Sequence, residues 1–440
     1  MRIGFLYLVV FCFAFLGCYN PKNNTDDSAK NGLLFWGLNV LKNSSDQVIT
    51  GTGTGTGVGA GTGTGSTATA VTAPTSIIYA GSPYTYTRNT GITTLIPTLS
   101  PAGVSLTGCT ASPALPAGLT LDSTTCAMSG TPTVSSTAAF YTITASNSAG
   151  NATATINITV EAIWAQEAYL KAPNPDTSDQ FGISVSLSSD TIVVGAKLEG
   201  SNQTTITNGA TASPDNSAIG AGAAYVFKRT GATWAQEAYL KAPNGDASDY
   251  LGQAVSVSAD TIVVGAFNEC SNQTTITNGT TAAFNNSTPA SGAVYVFKRT
   301  GTTWAQEAYI KTPNPDVNDG FGRSVSVSSD TIVVGAIGES SNQATITNGA
   351  TASADNSASN AGAVYVFKRT GSSWAMEAYL KAPNVELGDN FGQSVSVSSD
   401  MIAVGATGED SNQATITNGT NASSNNSTTN AGAVYVFRKM

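Results

Sequence analysis

Strict alternation marks the clearest elements of this chain. In Ser324-Val325-Ser326-Val327-Ser328 polar and apolar residues change places at every step, the period of a strand with one apolar face. Ser329-Asp330 then supplies a tight turn, and Ile332-Val333-Val334-Gly335-Ala336 is continuously apolar, as a strand covered on both faces should be. The small Gly335 and Ala336 permit close approach of another backbone at the inner end of that strand. Two further segments of strand character flank this hairpin, Trp304 to Lys311 and Ala363 to Arg369. The result is a unit of four strand-like segments.

The unit recurs without a slip. Trp164, Trp234, Trp304 and Trp374 are 70 residues apart, as are Phe181-Gly182, Leu251-Gly252, Phe321-Gly322 and Phe391-Gly392. Gly195-Ala196, Gly265-Ala266, Gly335-Ala336 and Gly405-Ala406 keep the same interval, and so do Tyr225, Tyr295, Tyr365 and Tyr435. A fixed period of this kind is the mark of a repeat architecture. Short strands at regular spacing, punctuated by glycine and carrying one Trp per unit, point to a β-propeller. The array opens on a Trp segment and closes on Tyr435-Val436-Phe437-Arg438, so it is out of phase with its blades. The Trp164 strand is therefore expected to complete the blade built by Phe391 to Arg438, which would hide the edges of an open array. The expectation is a four-bladed propeller with a mixed N/C-terminal closing blade. A two-chain eight-bladed ring and an open β-array are the alternatives. The recurrent Trp and Tyr residues are expected as packing between blades. Lys228-Arg229, Lys298-Arg299, Lys368-Arg369 and Arg438-Lys439 are expected as a solvated basic rim.

Upstream, Phe140 to Ala145 and Ala152 to Val160 alternate at strand period around a turn cluster, Asn147 to Gly150, which argues a small all-β sandwich. Before it, Gly51 to Thr67 is a Gly-Thr alternation that cannot repay its ordering entropy and reads as a flexible spacer. Leu33 to Leu41 is a brief apolar patch. The apolar run from Ile3 to Leu16 has the proportions of a signal-peptide core rather than a membrane span. The division is thus 1–17 signal peptide, 18–75 tether, 76–160 β-sandwich and 161–440 four repeats, the folded regions all-β. In an exported protein Cys109 and Cys126 are expected to form a disulfide, two unpaired small hydrophobes being the alternative, and Cys270 has no evident partner.

Three stretches resemble known families. Phe15-Leu16-Gly17-Cys18 resembles a bacterial lipobox, which implies lipidation at Cys18 and membrane attachment through the acyl chains. Tyr19 and Asn20 follow it where an Asp would retain a lipoprotein at the inner membrane, so the resemblance implies the outer membrane. The words Leu115-Pro116-Ala117-Gly118-Leu119-Thr120-Leu121-Asp122, Gly130-Thr131-Pro132 and Thr144-Ala145-Ser146-Asn147-Ser148-Ala149-Gly150 resemble the immunoglobulin-like domains of bacterial surface proteins, which implies a spacer or adhesion module. Phe181-Gly182, Val194-Gly195-Ala196 and their copies resemble the FG-GAP repeat family, which builds the propeller of integrin α chains and of related bacterial surface proteins.

Composition narrows the chemistry. The chain has no histidine, which removes Ser-His-Asp and Cys-His catalysis and imidazole-ligated zinc. Its net charge of -9 and 11% charged residues leave no basic footprint for nucleic acid. Before each Phe-Gly word stands an acidic loop: Asp176 and Asp179, Asp246 and Asp249, Asp316 and Asp319, Glu386 and Asp389. These oxygens are candidate ligands for weak calcium binding, against a solvated turn capped by Asp; no other cofactor is indicated. After each Gly-Ala word, Glu199, Glu269, Glu339 and Glu409 open the longest loop, where Gln203, Gln273, Gln343 and Gln413 follow. Four such loops on one rim would suit an extracellular protein or a glycan, because amides and hydroxyls give directional hydrogen bonds. The four near-identical carboxylates lack the asymmetry that an acid and a base require, so no catalytic residue is assigned and no enzyme activity is expected. An adhesion-like envelope lipoprotein is the leading reading. A purely structural envelope protein and a carboxylate hydrolase such as a glycosidase are the alternatives.

Overall fold

The computed structural model describes residues 70–440. The signal-like segment, Cys18, the apolar patch and the Gly-Thr run lie outside the described residues.

The immunoglobulin-like unit is organised by one long hairpin, Ser136–Asn147 with Gly150–Glu161. Its turn is an Asx turn: the Asn147 side-chain Oδ1 accepts the Ala149 N–H at 3.0 Å. Tyr84–Thr87 pairs parallel on one side and Gly108–Ser112 antiparallel on the other, giving a four-stranded sheet. Against its buried face, where Tyr141, Ile143, Ile156 and Ile158 alternate inward, pack Ile77, Leu119 and Met128 from two small strand pairs. A disulfide joins Cys109 on the sheet to Cys126 beside the second pair, with 5.3 Å between the Cα atoms, as expected from the sequence. Gly118 and Gly130 both take positive φ, and a Cβ on Gly118 would lie 2.0 Å from the Thr131 carbonyl oxygen. The Pro-Ala-Gly and Gly-Thr-Pro words are thus two sides of one backbone contact.

Each repeat starts with the anticipated hairpin. In the first blade Ser184–Ser188, Thr191–Ala196, Ala223–Thr230 and Thr233–Leu240 pair in that order, and the two-residue strand Thr207–Asn208 lies outside the fourth. The second blade repeats the pattern with Ala254–Ser258, Thr261–Ala266, Ala293–Thr300, Thr303–Ile310 and Thr277–Asn278. The third does so with Phe321–Ser328, Thr331–Ala336, Ala363–Thr370, Ser373–Leu380 and Thr347–Asn348. Every fourth strand is the Trp segment of the following repeat. The last blade has three strands among the described residues, Phe391–Ser398, Met401–Ala406 and Ala433–Arg438.

The alternation in each first strand serves two neighbours at once. Val255 and Val257 pack into a core with Val193, Val226 and Leu240 of the preceding blade. On the opposite face, Ser256 Oγ and Ser258 Oγ accept the Val327 and Ser329 N–H groups of the following blade at 3.0 and 3.1 Å. The polar positions therefore face protein. The two glycine words meet in the same junction: a Cβ on Gly265 would lie 2.0 Å from the Gly322 carbonyl oxygen, and Gly195 and Gly335 stand likewise against Gly252 and Gly392. Close approach at the inner end of the second strand is what the sequence led one to expect. Trp304 and Trp374 are buried between blades, again as expected.

The closing blade is not formed. Among the described residues Ala433–Arg438 pairs only with Met401–Ala406, and residues 164–171 belong to no strand. The reason is local attachment. Glu167 is bonded to Arg229 of the first blade at 3.1 Å, Leu170 packs partly against that blade's core and Ala172 is buried there. The segment is held at one end of the stack while its expected partner lies at the other. The described repeats are an open array of blades.

Candidate functional site

Each of the first three blades is locked by a buried polar cluster. Lys241 follows the fourth strand of the first blade, and its Nζ donates to Glu199 Oε2 at 2.9 Å and to the Ser201 and Gly222 carbonyls at 2.7 Å. All three ammonium protons are satisfied. Asn174 Nδ2 donates to the other carboxylate oxygen at 3.2 Å, and Tyr225 Oη donates to Asn174 Oδ1 at 2.7 Å. The arrangement recurs as Lys311 with Glu269 at 2.9 Å and Lys381 with Glu339 at 2.8 Å, every member buried. Burial pulls the three lysines below their ordinary range, opposed by the carboxylate beside each.

This corrects the placement of four candidate binding residues. Glu199, Glu269, Glu339 and Glu409 are buried, so their carboxylates face the interior of their own blade and not a ligand at the rim. A buried charge needs a partner to offset its desolvation, and in the first three copies the partner is a lysine that the sequence analysis left unassigned. The signal was present: Lys171, Lys241, Lys311 and Lys381 keep the 70-residue interval.

The acidic loops are also structural in geometry. Asp179, Asp249, Asp319 and Asp389 are buried, and each accepts the backbone N–H three residues earlier at 2.8 to 2.9 Å. They are caps of a tight turn, but not solvated ones. Asp176, Asp246 and Asp316 accept instead from Asn216, Asn286 and Asn356 at 2.8 to 3.0 Å, and Glu386 accepts from Asn426. The two acids of a loop point to different partners, and among the described residues no group of three or more metal-type ligands converges. Burial pushes Asp249 and Asp319 up to about 7 and Asp389 to about 6.

What the long loops leave accessible is amide and hydroxyl. Gln203 Nε2 donates to the Thr205 carbonyl at 2.6 Å and to Thr207 Oγ1 at 2.8 Å, and Gln273, Gln343 and Gln413 make the same two bonds. These glutamines brace the loop. Asn202, Asn272, Asn342 and Asn412 beside them are exposed. The loops follow one another along the stack, because the Asn208 side chain bonds the Trp304 backbone N–H at 2.7 Å and Asn278 does the same to Trp374.

The basic pairs are not a solvated rim in the interior blades. Arg299 bonds Glu237 and Asp260 and lies 5.6 Å over the Trp304 ring, whose Nε1 donates to Glu237 at 2.9 Å. Arg369, Glu307, Asp330 and Trp374 repeat the set.

Fold and junction chemistry together define a β-repeat protein whose four-stranded blades share their cores, carried behind an immunoglobulin-like unit. The family described as "FG-GAP repeat" matches residues 164–227, 234–297, 304–367 and 374–437, and the chain belongs to that family. The family described as "Putative Ig domain" matches residues 66–161. No curated protein matches the chain significantly. Among solved structures, an endo-fucoidan hydrolase of glycoside hydrolase family 107 is similar at 15% identity over 54% of this chain and 34% of its own, with a TM-score of 0.16. SGBP-B of the Bacteroides ovatus mixed-linkage glucan utilization locus, solved in complex with a mixed-linkage heptasaccharide, gives 10% identity over 73% of this chain and 59% of its own, with a TM-score of 0.15. Drosophila OTK extracellular domains 3-5 give 9% over 69% and 96%, with a TM-score of 0.16. The chain spans about a third of the hydrolase's length, and scores this low carry no argument about fold or activity.

Proposed function

We propose that this protein is a cell-envelope lipoprotein, anchored at the outer membrane through Cys18, whose repeat loops bind an extracellular protein or carbohydrate without catalysing a reaction. The observation that carries the reading is the division of labour within the long loop. Its glutamine and buried serine brace it internally, leaving the neighbouring asparagine and threonines exposed in copy after copy. A braced loop loses little entropy on binding, and exposed amides and hydroxyls supply directional contacts. The pairing of FG-GAP repeats with an immunoglobulin-like unit supports an extracellular or envelope location. The glycosidase alternative loses support because the recurrent glutamates are bonded inside the blades, away from any substrate.

The test is a screen of the full chain, held in detergent micelles, against glycans and extracellular matrix proteins with and without calcium. A saturable signal that falls when Asn202, Asn272, Asn342 and Asn412 are all changed to alanine is the expected result. No saturable signal in either condition would leave the purely structural envelope role in its place.

A further inference from the structure

The two ends of the array are unlike each other and complementary. At the first blade, Val185 and Leu187 are 60% and 62% exposed, whereas their counterparts Val255 and Val257 are buried against the preceding blade at 8% and 6%. At the last blade, Val434 and Val436 are 71% and 69% exposed, whereas Val364 and Val366 are covered by the following blade at 0% and 4%. One end shows the half of the junction that faces backwards, and the other shows the half that faces forwards. Contact at Gly182 is missing too: an added Cβ there meets nothing within 4 Å, while Gly252 and Gly322 abut the preceding blade.

Three side-chain features give the same answer. Glu409 is buried, bonded to Asn384 Nδ2 at 3.0 Å and the Ser411 N–H at 3.1 Å, yet no described Lys or Arg pairs with it. Lys171, the lysine of the series that precedes the first blade, is exposed. Trp164 is fully exposed, unlike Trp304 and Trp374. A cavity of 140 Å³ at the other end of the array is lined by Asn348, Glu377, Val366, Phe437 and Lys439. Asn348, Glu377 and Lys439 stand 70 residues after Asn278, Glu307 and Arg369, the three residues that hold Trp374. Finally, the outer edge of Ala433–Arg438 carries no strand among the described residues.

We propose that these ends mate between two copies of the chain. Residues 164–171 of one copy add antiparallel to the free edge of Ala433–Arg438 of the other, Trp164 enters the cavity beside Asn348 and Glu377, and Lys171 reaches Glu409. The segment is already placed for this, since Glu167 meets Arg229 as Glu237 meets Arg299 in the interior. Held against the first blade of an open array, it lies away from the last blade of its own chain, so the strand comes from another copy. The contact is head-to-tail, and two copies joined at both ends make eight blades, within the range in which such sheets close into a ring. This pairing does not depend on what the loops bind.

The test is the mass of the full chain in detergent micelles, by native mass spectrometry. A two-chain species is expected; a single chain at tens of micromolar protein would overturn the proposal. Two variants then separate the ends. Val185→Asp with Leu187→Asp breaks one end, Val434→Asp with Val436→Asp breaks the other, and all four positions are exposed, so the fold is retained. Each variant alone is expected to be monomeric, and an equal mixture to give a two-chain species through the intact pair of ends. Failure of the mixture to associate would count against a head-to-tail contact. Ala165→Cys with Arg438→Cys, opposite each other by analogy with Ala235 and Lys228, is expected to cross-link two chains. A cross-link within one chain would show the ring closing on itself, and no cross-link would remove the strand pairing. Lys171→Met should weaken association at least tenfold and Lys171→Met with Glu409→Gln should recover most of it; equal weakening by both would overturn the ion pair.

Discussion

The immunoglobulin-like unit and the repeats solve the same problem differently. The first closes its core on itself, with a hairpin of two 12-residue strands as the floor and a disulfide tying Cys109 to Cys126. A blade cannot do so, because its apolar faces are finished only by the blades on either side. Val257 is core only because the first blade supplies Val226 and Leu240, and Phe297 shares that cluster with Trp304. Stability in the repeats is therefore a property of junctions, and in the sandwich it is a property of the unit. The repeats also admit charge where the sandwich core has none: three lysine–glutamate pairs are buried, each within one blade.

Four measurements can break or sharpen this contrast. Four of the five tryptophans lie in the repeats, Trp36 precedes both regions and none falls within residues 76–160, so a change in tryptophan emission on unfolding follows the repeats while circular dichroism follows both regions. The largest effect is expected from Lys311→Met, which leaves Glu269 buried without its partner and should cost about 3–5 kcal/mol in the denaturant transition seen by tryptophan emission. Next, Cys109→Ser with Cys126→Ser should cost about 2–4 kcal/mol in the sandwich and leave the emission transition in place. An emission midpoint that moved with it would show the two regions to be one cooperative unit.

Smaller, and confined to junctions, is Gly265→Ala. The added carbon would sit 2.0 Å from the Gly322 carbonyl, at an expected cost of about 1–3 kcal/mol. The same change at Gly405 meets only the Ser394 hydroxyl at 2.5 Å, which can rotate away, so it should cost clearly less; equal costs would refute the junction as the cause. The last measurement is a pH dependence. Burial raises Asp249 to about 7, so the folded state holds a proton there that the unfolded state releases near pH 4. Its contribution is complete below pH 4 and is lost as pH rises to about 7. The stability of Asp249→Asn relative to the parent should accordingly rise by about 1 kcal/mol per pH unit across that window. A flat difference between pH 5 and pH 6.5 would mean that the carboxyl is solvated.

Much of this was legible along the chain. The alternation in Ser324 to Ser328 and the continuous run that follows gave the hairpin, and the 70-residue interval gave the blades and their order. Small residues in the Gly-Ala word announced a close approach, though not that the partner would be the glycine of the next Phe-Gly word. Buried polar groups were the part that local pattern could not place. Ser256 looks like a solvent position and bonds a neighbouring blade; Glu269 opens a polar loop and is buried.

The sequence by itself determined the elements, their period and the covalent staple, because strand alternation, turn chemistry and repeat spacing are all local or one-dimensional. Tertiary structure alone decided which charges are buried together and whether the ends of the array meet. Lys311 and Glu269 lie 42 residues apart and become partners only when a fourth strand crosses from one repeat into the previous blade. Ring closure depends likewise on how each blade sits against the next, a sum of side-chain contacts that no single repeat contains. That is why the same Trp segment, written four times, is a paired strand in the interior and no strand at Trp164.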